Sequence, residues 1–232
     1  MWDIRVTANY RFLLIFLVLG CSSTLQAATI IGVVRFNGPA PVRKPIQVSK
    51  DHDYCGQTIP DESLLIDASG GLKSAVVSLD APASRAATQK INYFDTNGCN
   101  FVPRVSAMRL GERLVLKNSD PKLHIVHSYL EKLTVFNVAV PFKNYQMELT
   151  HKVREAGVLD LNCDTHAWMH GYIHVFDHPF FAITDQTGAF VITNVPSGTY
   201  TLKAWHEKTG IQKMQVIVPE DGEIAVTVEV GK

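Results

Sequence analysis

The chain has 232 residues, 46% of them hydrophobic and 9% aromatic, and its 22 Lys and Arg balance its 22 Asp and Glu. Such a length suits one large or two small domains. The balanced charge, with no basic stripe and no acidic tail, argues against nucleic acid or a strongly cationic partner as the target.

Residues 1–27 have the pattern of a secretory leader. Arg5 and Arg11 precede an apolar run from Phe12 to Leu19, and small and polar residues lead to Ala27. Cleavage is expected after Ala27, which makes the mature protein periplasmic or secreted. The run is too short to span a bilayer, which needs about 20 residues. Lipid attachment at Cys21 is the alternative, although Leu19 stands where that signal usually has a small residue. No other segment is apolar enough to cross a membrane.

Beyond the leader the chain reads as all-β. Short runs rich in Val, Ile, Leu and Phe recur over residues 29–36, 75–79, 113–117, 158–162, 172–176, 181–183, 189–192, 200–204, 212–218 and 224–230. Turn signals such as Asn37-Gly38-Pro39, Gly70-Gly71, Asn97-Gly98 and Asp221-Gly222 separate them, a spacing that favours sandwiches or barrels. Residues 131–152 show no clear period and are expected to form an irregular connection near the site. The Ala- and Ser-containing stretch 80–87 reads as a linker. Three sections result: an N-terminal β segment over 28–85, a central section over 90–178 and a C-terminal section over 179–232.

The central section carries the chemistry. Residues 163–169 read Cys-Asp-Thr-His-Ala-Trp-Met, which puts a thiolate, an imidazole and a thioether in one short loop. Upstream, residues 118–127 hold His124 and His127. One Cys, two His and a weak axial Met are the donors a mononuclear copper site takes, whereas structural zinc usually takes two or more Cys. Taken singly, a lone Cys is most often a small buried hydrophobe, a Met beside an aromatic is core filler, and a strand His is a core or surface group. It is their joint spacing that favours a metal.

Cys-x-x-His-x-x-Met after a strand, with a His opening an earlier one, resembles the cupredoxins, and the short loop is most similar to their amicyanin branch. The resemblance covers about residues 92–176. It implies a Greek-key β-sandwich, one copper per chain, the ligand set His124, Cys163, His166 and Met169, and one-electron transfer with a redox protein partner. Asn118 and Trp168 would support the ligands or carry electrons, with the His166 edge reaching the surface through an apolar patch around Ala167 and Trp168. Ile125 departs from the pattern: that position is commonly Asn, whose hydrogen bonds tie the two ligand loops together. From Thr184 the chain reads Thr-Asp-x-x-Gly-x-Phe and then Pro196-x-Gly-x-Tyr200, which resembles the carboxypeptidase regulatory-like (transthyretin-like) sandwich. That module normally begins with a Gly-x-Val strand, which residues 32–34 or the 75–79 run would supply from the other chain end. A second small sandwich made from both ends is therefore expected.

Loss of Cys21 with the leader leaves three cysteines. If copper holds Cys163, then Cys55 and Cys99 are left to form a disulfide in an oxidising compartment; three free thiols in a reducing cell is the alternative. Strand alternation turns His127 away from His124. His170 is expected at the surface beside the site, His174 and His178 at the surface, and a second metal cluster at Asp51-His52-Asp53 has only that turn to favour it. The chain lacks the His-x-His pairs and His-Cys-His segment of multicopper oxidases, a Gly-x-Ser-x-Gly elbow, a phosphate loop and a haem-attachment motif. A redox carrier is therefore expected over an enzyme. Two alternatives stand beside it: copper storage, delivery or sensing, which extra histidines would serve, and a structural or adhesion sandwich with a vestigial copper site.

Overall fold

The computed structural model describes residues 27–84 and 88–231. The expected leader, with Cys21, lies outside the described residues except for Ala27. The N-terminal segment forms β1 (Ala27–Phe36), β2 (Ile46–Gln47), a one-turn helix α1 (His52–Cys55), β3 (Thr58–Ile59) and β4 (Val76–Leu79). The central section forms β5 (Ile91–Asn97), β6 (Asn100–Val102), β7 (Val105–Arg109), β8 (Arg113–Asn118), β9 (His124–Leu130), β10 (Leu133–Val140), β11 (Tyr145–Glu148), β12 (Gly157–Cys163) and β13 (His170–Phe176). The remainder forms β14 (Phe181–Ile183), β15 (Ala189–Pro196), β16 (Gly198–His206), β17 (Gly210–Val218) and β18 (Glu223–Val230). The fold is all-β, as expected from the short apolar runs.

The central strands make two sheets, ordered β10-β9-β12-β13-β7 and β11-β8-β5-β6. Alternation puts every second side chain inward, so Leu114 and Leu116 of one sheet share a core with Val126, Leu159, Leu161 and Ile173 of the other. Residues 131–152 correct the sequence reading: they are not an irregular connection. They form β10, β11 and a 3-10 turn at Thr150–Lys152. Both strands lie at sheet edges, where one side is solvated, and within β10 only Phe136 and Val140 are buried. An edge strand carries little of the apolar period that sequence reading depends on.

A second pair of sheets, β15-β1-β18 and β14-β4-β16-β17, is built from both chain ends. β1 lies between an antiparallel β15 and a parallel β18, and β4 between β14 and β16. Ile30, Val34, Phe190 and Val228 meet Val77, Leu79, Leu202 and Val216 in its core. Gly32 is required there, because a Cβ would stand 2.4 Å from the Phe190 ring. The two sandwiches meet through Val76, Val105 and Ala107, packed by Tyr172, Phe176, Phe181 and Trp205. Arg104 closes the junction with a two-pronged pair to Glu207 at 2.6 and 2.7 Å.

Candidate metal centre

The site grows out of strand register. Cys163 ends β12 directly opposite Val126 of β9, so His124, two residues earlier on β9, lies on the same sheet face. The loop that follows folds back on itself: the Met169 N–H donates to the His166 carbonyl at 2.9 Å and the Cys163 N–H to the Met169 carbonyl at 3.3 Å. His166 is thereby brought over Cys163. His124 Nδ1 and His166 Nδ1 lie 3.0 Å apart, and Cys163 Sγ is 3.8 Å from each. Among the described residues this is the one group of three His, Cys or acidic side chains whose ligand atoms converge, all within 4.8 Å.

The triangle fits a metal. With bonds of about 2.05 Å to nitrogen and about 2.3 Å to sulfur, its sides subtend roughly 95° between the nitrogens and roughly 120° from each to sulfur. A trigonal His2Cys set leaving room for a weak axial donor is the arrangement copper takes. Met169 is fully buried in the core that also holds Cys163 and Trp168.

Both imidazoles turn their Nδ1 inward and their Nε2 toward a carboxylate. His124 Nε2 is 3.0 Å from Asp120 Oδ2, and His166 Nε2 is 2.9 Å from Asp51 Oδ2. Such partners fix ring orientation and tautomer and raise ligand basicity. Asp120 is itself fully held, accepting from the Tyr54 hydroxyl at 2.8 Å and from the backbone N–H groups of Gly98 and Cys99. Burial pushes the Asp120 carboxyl up, but the hydrogen bonds from His124, Cys99, Tyr54 and Gly98 outweigh it and hold the group below the usual carboxylate range. The bond from His166, opposed by desolvation and aided by Lys122, does the same for Asp51.

Cys163 is poised as a thiolate. Burial would raise its pKa, yet hydrogen bonds from His124, the Thr165 hydroxyl and the backbone N–H groups of Thr165 and Ile125 bring it down to about 6. The thiolate is the form that binds metal. The single Thr165 hydroxyl proton can serve either that sulfur or the Leu123 carbonyl, 3.1 Å away, while the Asp164 N–H reaches the Ile125 carbonyl at 2.9 Å. These two bonds join the ligand loops, so the missing Asn at position 125 is made good from the other loop.

Asn118 is buried and uses its whole hydrogen-bonding capacity. Its amide donates to the Lys122 and Val140 carbonyls, and its oxygen accepts from Thr96 and from the Asp120 N–H. It locks the turn that carries Asp120 and His124 onto β5 and β10. Trp168 packs 5.0 Å from the His166 ring and donates to the Cys99 carbonyl at 3.0 Å. Cys99 is disulfide-bonded to Cys55.

Several expectations need correction. The His166 ring is 0% exposed, so no imidazole edge reaches the surface, and Trp168 is buried; only Ala167 of that patch is exposed. His174 and His178 are also buried, at 4% and 6% exposure: β13 turns His174 against Trp205 at the junction between the sandwiches, and His178, just beyond that strand, packs against Phe176 and Phe180. They stand apart from the ligand triangle and offer no exposed binding surface. The Asp51-His52-Asp53 turn forms no second cluster, since Asp51 points to His166. His127 faces away from the triangle and bonds Thr134 and Tyr129, and His170 is exposed. Asp51, Asp120 and Thr165 are the site residues that sequence reading missed. Asp and Thr abound in turns, and only their pairing across the chain marks these three.

No family model matches the chain, and no curated protein does. Several solved structures resemble part of it. A proline-to-phenylalanine mutant of amicyanin in its reduced state is 19% identical, with a TM-score of 0.33, over 43% of this chain and 97% of its own. A purple cupredoxin from Nitrosopumilus maritimus is 19% identical, with a TM-score of 0.31, over 36% and 97%. A copper-containing nitrite reductase from Thermus scotoductus SA-01 is 17% identical, with a TM-score of 0.33, over 42% of this chain and 25% of its own.

Proposed function

We propose that this chain is an exported mononuclear copper protein that carries single electrons, with Cys163, His124 and His166 as strong ligands and Met169 as a weak axial donor. The observation that carries the reading is the triangle of two Nδ1 atoms and one Sγ, with sides of 3.0, 3.8 and 3.8 Å. Copper bound there would supply one-electron exchange between Cu(II) and Cu(I).

The protein's part is to hold those donors still. His124 is fixed by Asp120, His166 by Asp51, and Cys163 by Thr165. Ligands that cannot relax toward the geometry preferred by either oxidation state keep the cost of electron exchange low. Carriage rather than catalysis is favoured by the burial of all three strong donors. The sandwich built from the chain ends, with its carboxypeptidase regulatory-like turns, serves in this reading as a platform packed against the copper-binding sandwich. No helix among the described residues is long and apolar enough to cross a membrane.

Buried His166 favours one other reading, copper holding and delivery without redox cycling, because it closes the edge through which electrons were expected to pass. Stopped-flow mixing with a small reduced cytochrome separates the two. Rapid, reversible electron exchange is expected for the carrier; no exchange, with metal handed over to a copper chelator, would establish delivery.

A further inference from the structure

The His166 edge is closed by a segment that belongs to neither sheet pair. β2 and β3 pair as a two-stranded ribbon, Ile46 opposite Ile59 and Gln47 opposite Thr58, and α1 lies at its tip. Val48, Cys55 and Ile59 anchor this strap in the central core. Asp51 at the tip reaches His166 Nε2 at 2.9 Å. Three further ties hold the tip down. Lys122 pairs with Asp53 at 2.7 Å and with Asp51 at 3.4 Å. The Tyr54 hydroxyl bonds Asp120, the carboxylate that also holds His124. The Cys55–Cys99 disulfide joins the strap to β5 and β6, next to the Cys99 N–H that donates to Asp120. Asp51 itself adopts φ 53° and ψ 39°, a left-handed conformation that costs a non-glycine residue energy and persists where the surroundings over-determine it.

We propose that residues 46–59 form a latch over the metal centre, in which Asp51 is a positioning residue that accepts the His166 Nε2–H, keeps Nδ1 free for metal, and bars solvent and competing ligands. The proposal rests on the metal-site reading above. Metal exchange then requires the strap to lift, and electrons must enter by a path other than the His166 edge.

The test uses the full chain and three variants. Asp51→Gly removes the carboxylate while suiting the left-handed backbone. Asp51→Asn keeps an acceptor for Nε2–H. Lys50→Ala removes a neighbouring, exposed charge of the same strap that makes none of these ties. Two quantities are read: the His166 tautomer in metal-free protein by nitrogen NMR, and the rate at which one equivalent of bound copper passes to excess EDTA. Wild type is expected to hold the Nε2–H tautomer. Asp51→Gly is expected to lose that preference and release copper on the order of 10–100-fold faster, the usual effect on affinity of removing such a partner. Asp51→Asn should recover most of both, and Lys50→Ala should stay within about twofold of wild type, as surface substitutions away from such features do. An unchanged tautomer and release rate in Asp51→Gly would overturn the latch. Wild-type protein that takes up no copper would instead remove the copper reading, and the tautomer alone would then decide the role of Asp51.

Discussion

The two sandwiches spend their interiors differently. The one built from the chain ends buries few polar groups, and one of them, Thr184, is satisfied by two backbone partners at Ala75 and Leu72. The central one buries Thr96, Asn118, Asp120, His124 and His166 in one connected network at the end of its core. Buried polar groups are costly unless every member is paired. Their concentration at one end of one sandwich therefore marks where the fold gives up packing for chemistry. Stability and metal binding should be separable accordingly.

The largest expected effect breaks the chemical half alone. Cys163→Ser should weaken copper binding by more than the roughly 100-fold that losing a supporting carboxylate costs, and leave the metal-free unfolding midpoint nearly unchanged. Competition against a chelator and thermal unfolding check the two parts. Normal binding would show that Cys163 is not a ligand.

Leu202→Ala is the converse. Leu202 is fully buried between β4 and β17, and truncating such a side chain costs about 2–5 kcal/mol. Denaturant unfolding should show that loss while copper affinity in the folded protein is unchanged. A matching fall in affinity would show that the platform shapes the site.

The junction between the halves should report pH. His174, packed 4.4 Å from Trp205 with an unpaired Nε2, is held down to about 4 by burial. Its unfolded value is near 6.5, so the unfolded chain binds more protons between those limits. The stability it contributes is fully present above pH 6.5 and is lost as pH falls toward 4, up to roughly 3 kcal/mol. Cys163 and His124 are shifted as well, so the comparison is with His174→Phe. That variant should show a shallower loss of thermal midpoint between pH 7 and 4.5, whereas equal slopes would count against a buried neutral His174.

The smallest effect concerns Met169. Leu conserves its volume and should cost less than about 1.5 kcal/mol. If the thioether is the weak axial donor, Met169→Leu should keep copper bound and raise the reduction potential, since loss of that donor destabilises Cu(II). Titration against a redox mediator reads the shift, and an unchanged potential would return Met169 to the core as filler.

What could be read from the sequence follows the same division. Apolar runs such as residues 212–218 and 224–230, with a Gly-containing turn between them, announce strands because a buried face enforces alternation. The ligand loop was legible because Cys163, His166 and Met169 are close in sequence. β9 was harder, since His124 and Ser128 occupy inward positions that usually hold hydrophobes, and β10 and β11 were hidden by their exposed edges. Asp51 and Asp120 could not be found this way. The Asp51–His166 contact spans 115 residues, and an Asp at a helix start or beside a Pro turn looks like ordinary turn chemistry. The burial of His174 and His178 was likewise set by the second sandwich packing over β13, which no local pattern records.

The most direct test is the visible absorption and spin-resonance spectrum of the full chain after adding one equivalent of copper(II). An intense thiolate-to-copper band, saturating at one copper per chain and protecting Cys163 from alkylation, is the expected result. A colourless protein whose Cys163 still reacts with iodoacetamide would contradict the assignment of Cys163, His124 and His166 as a copper centre.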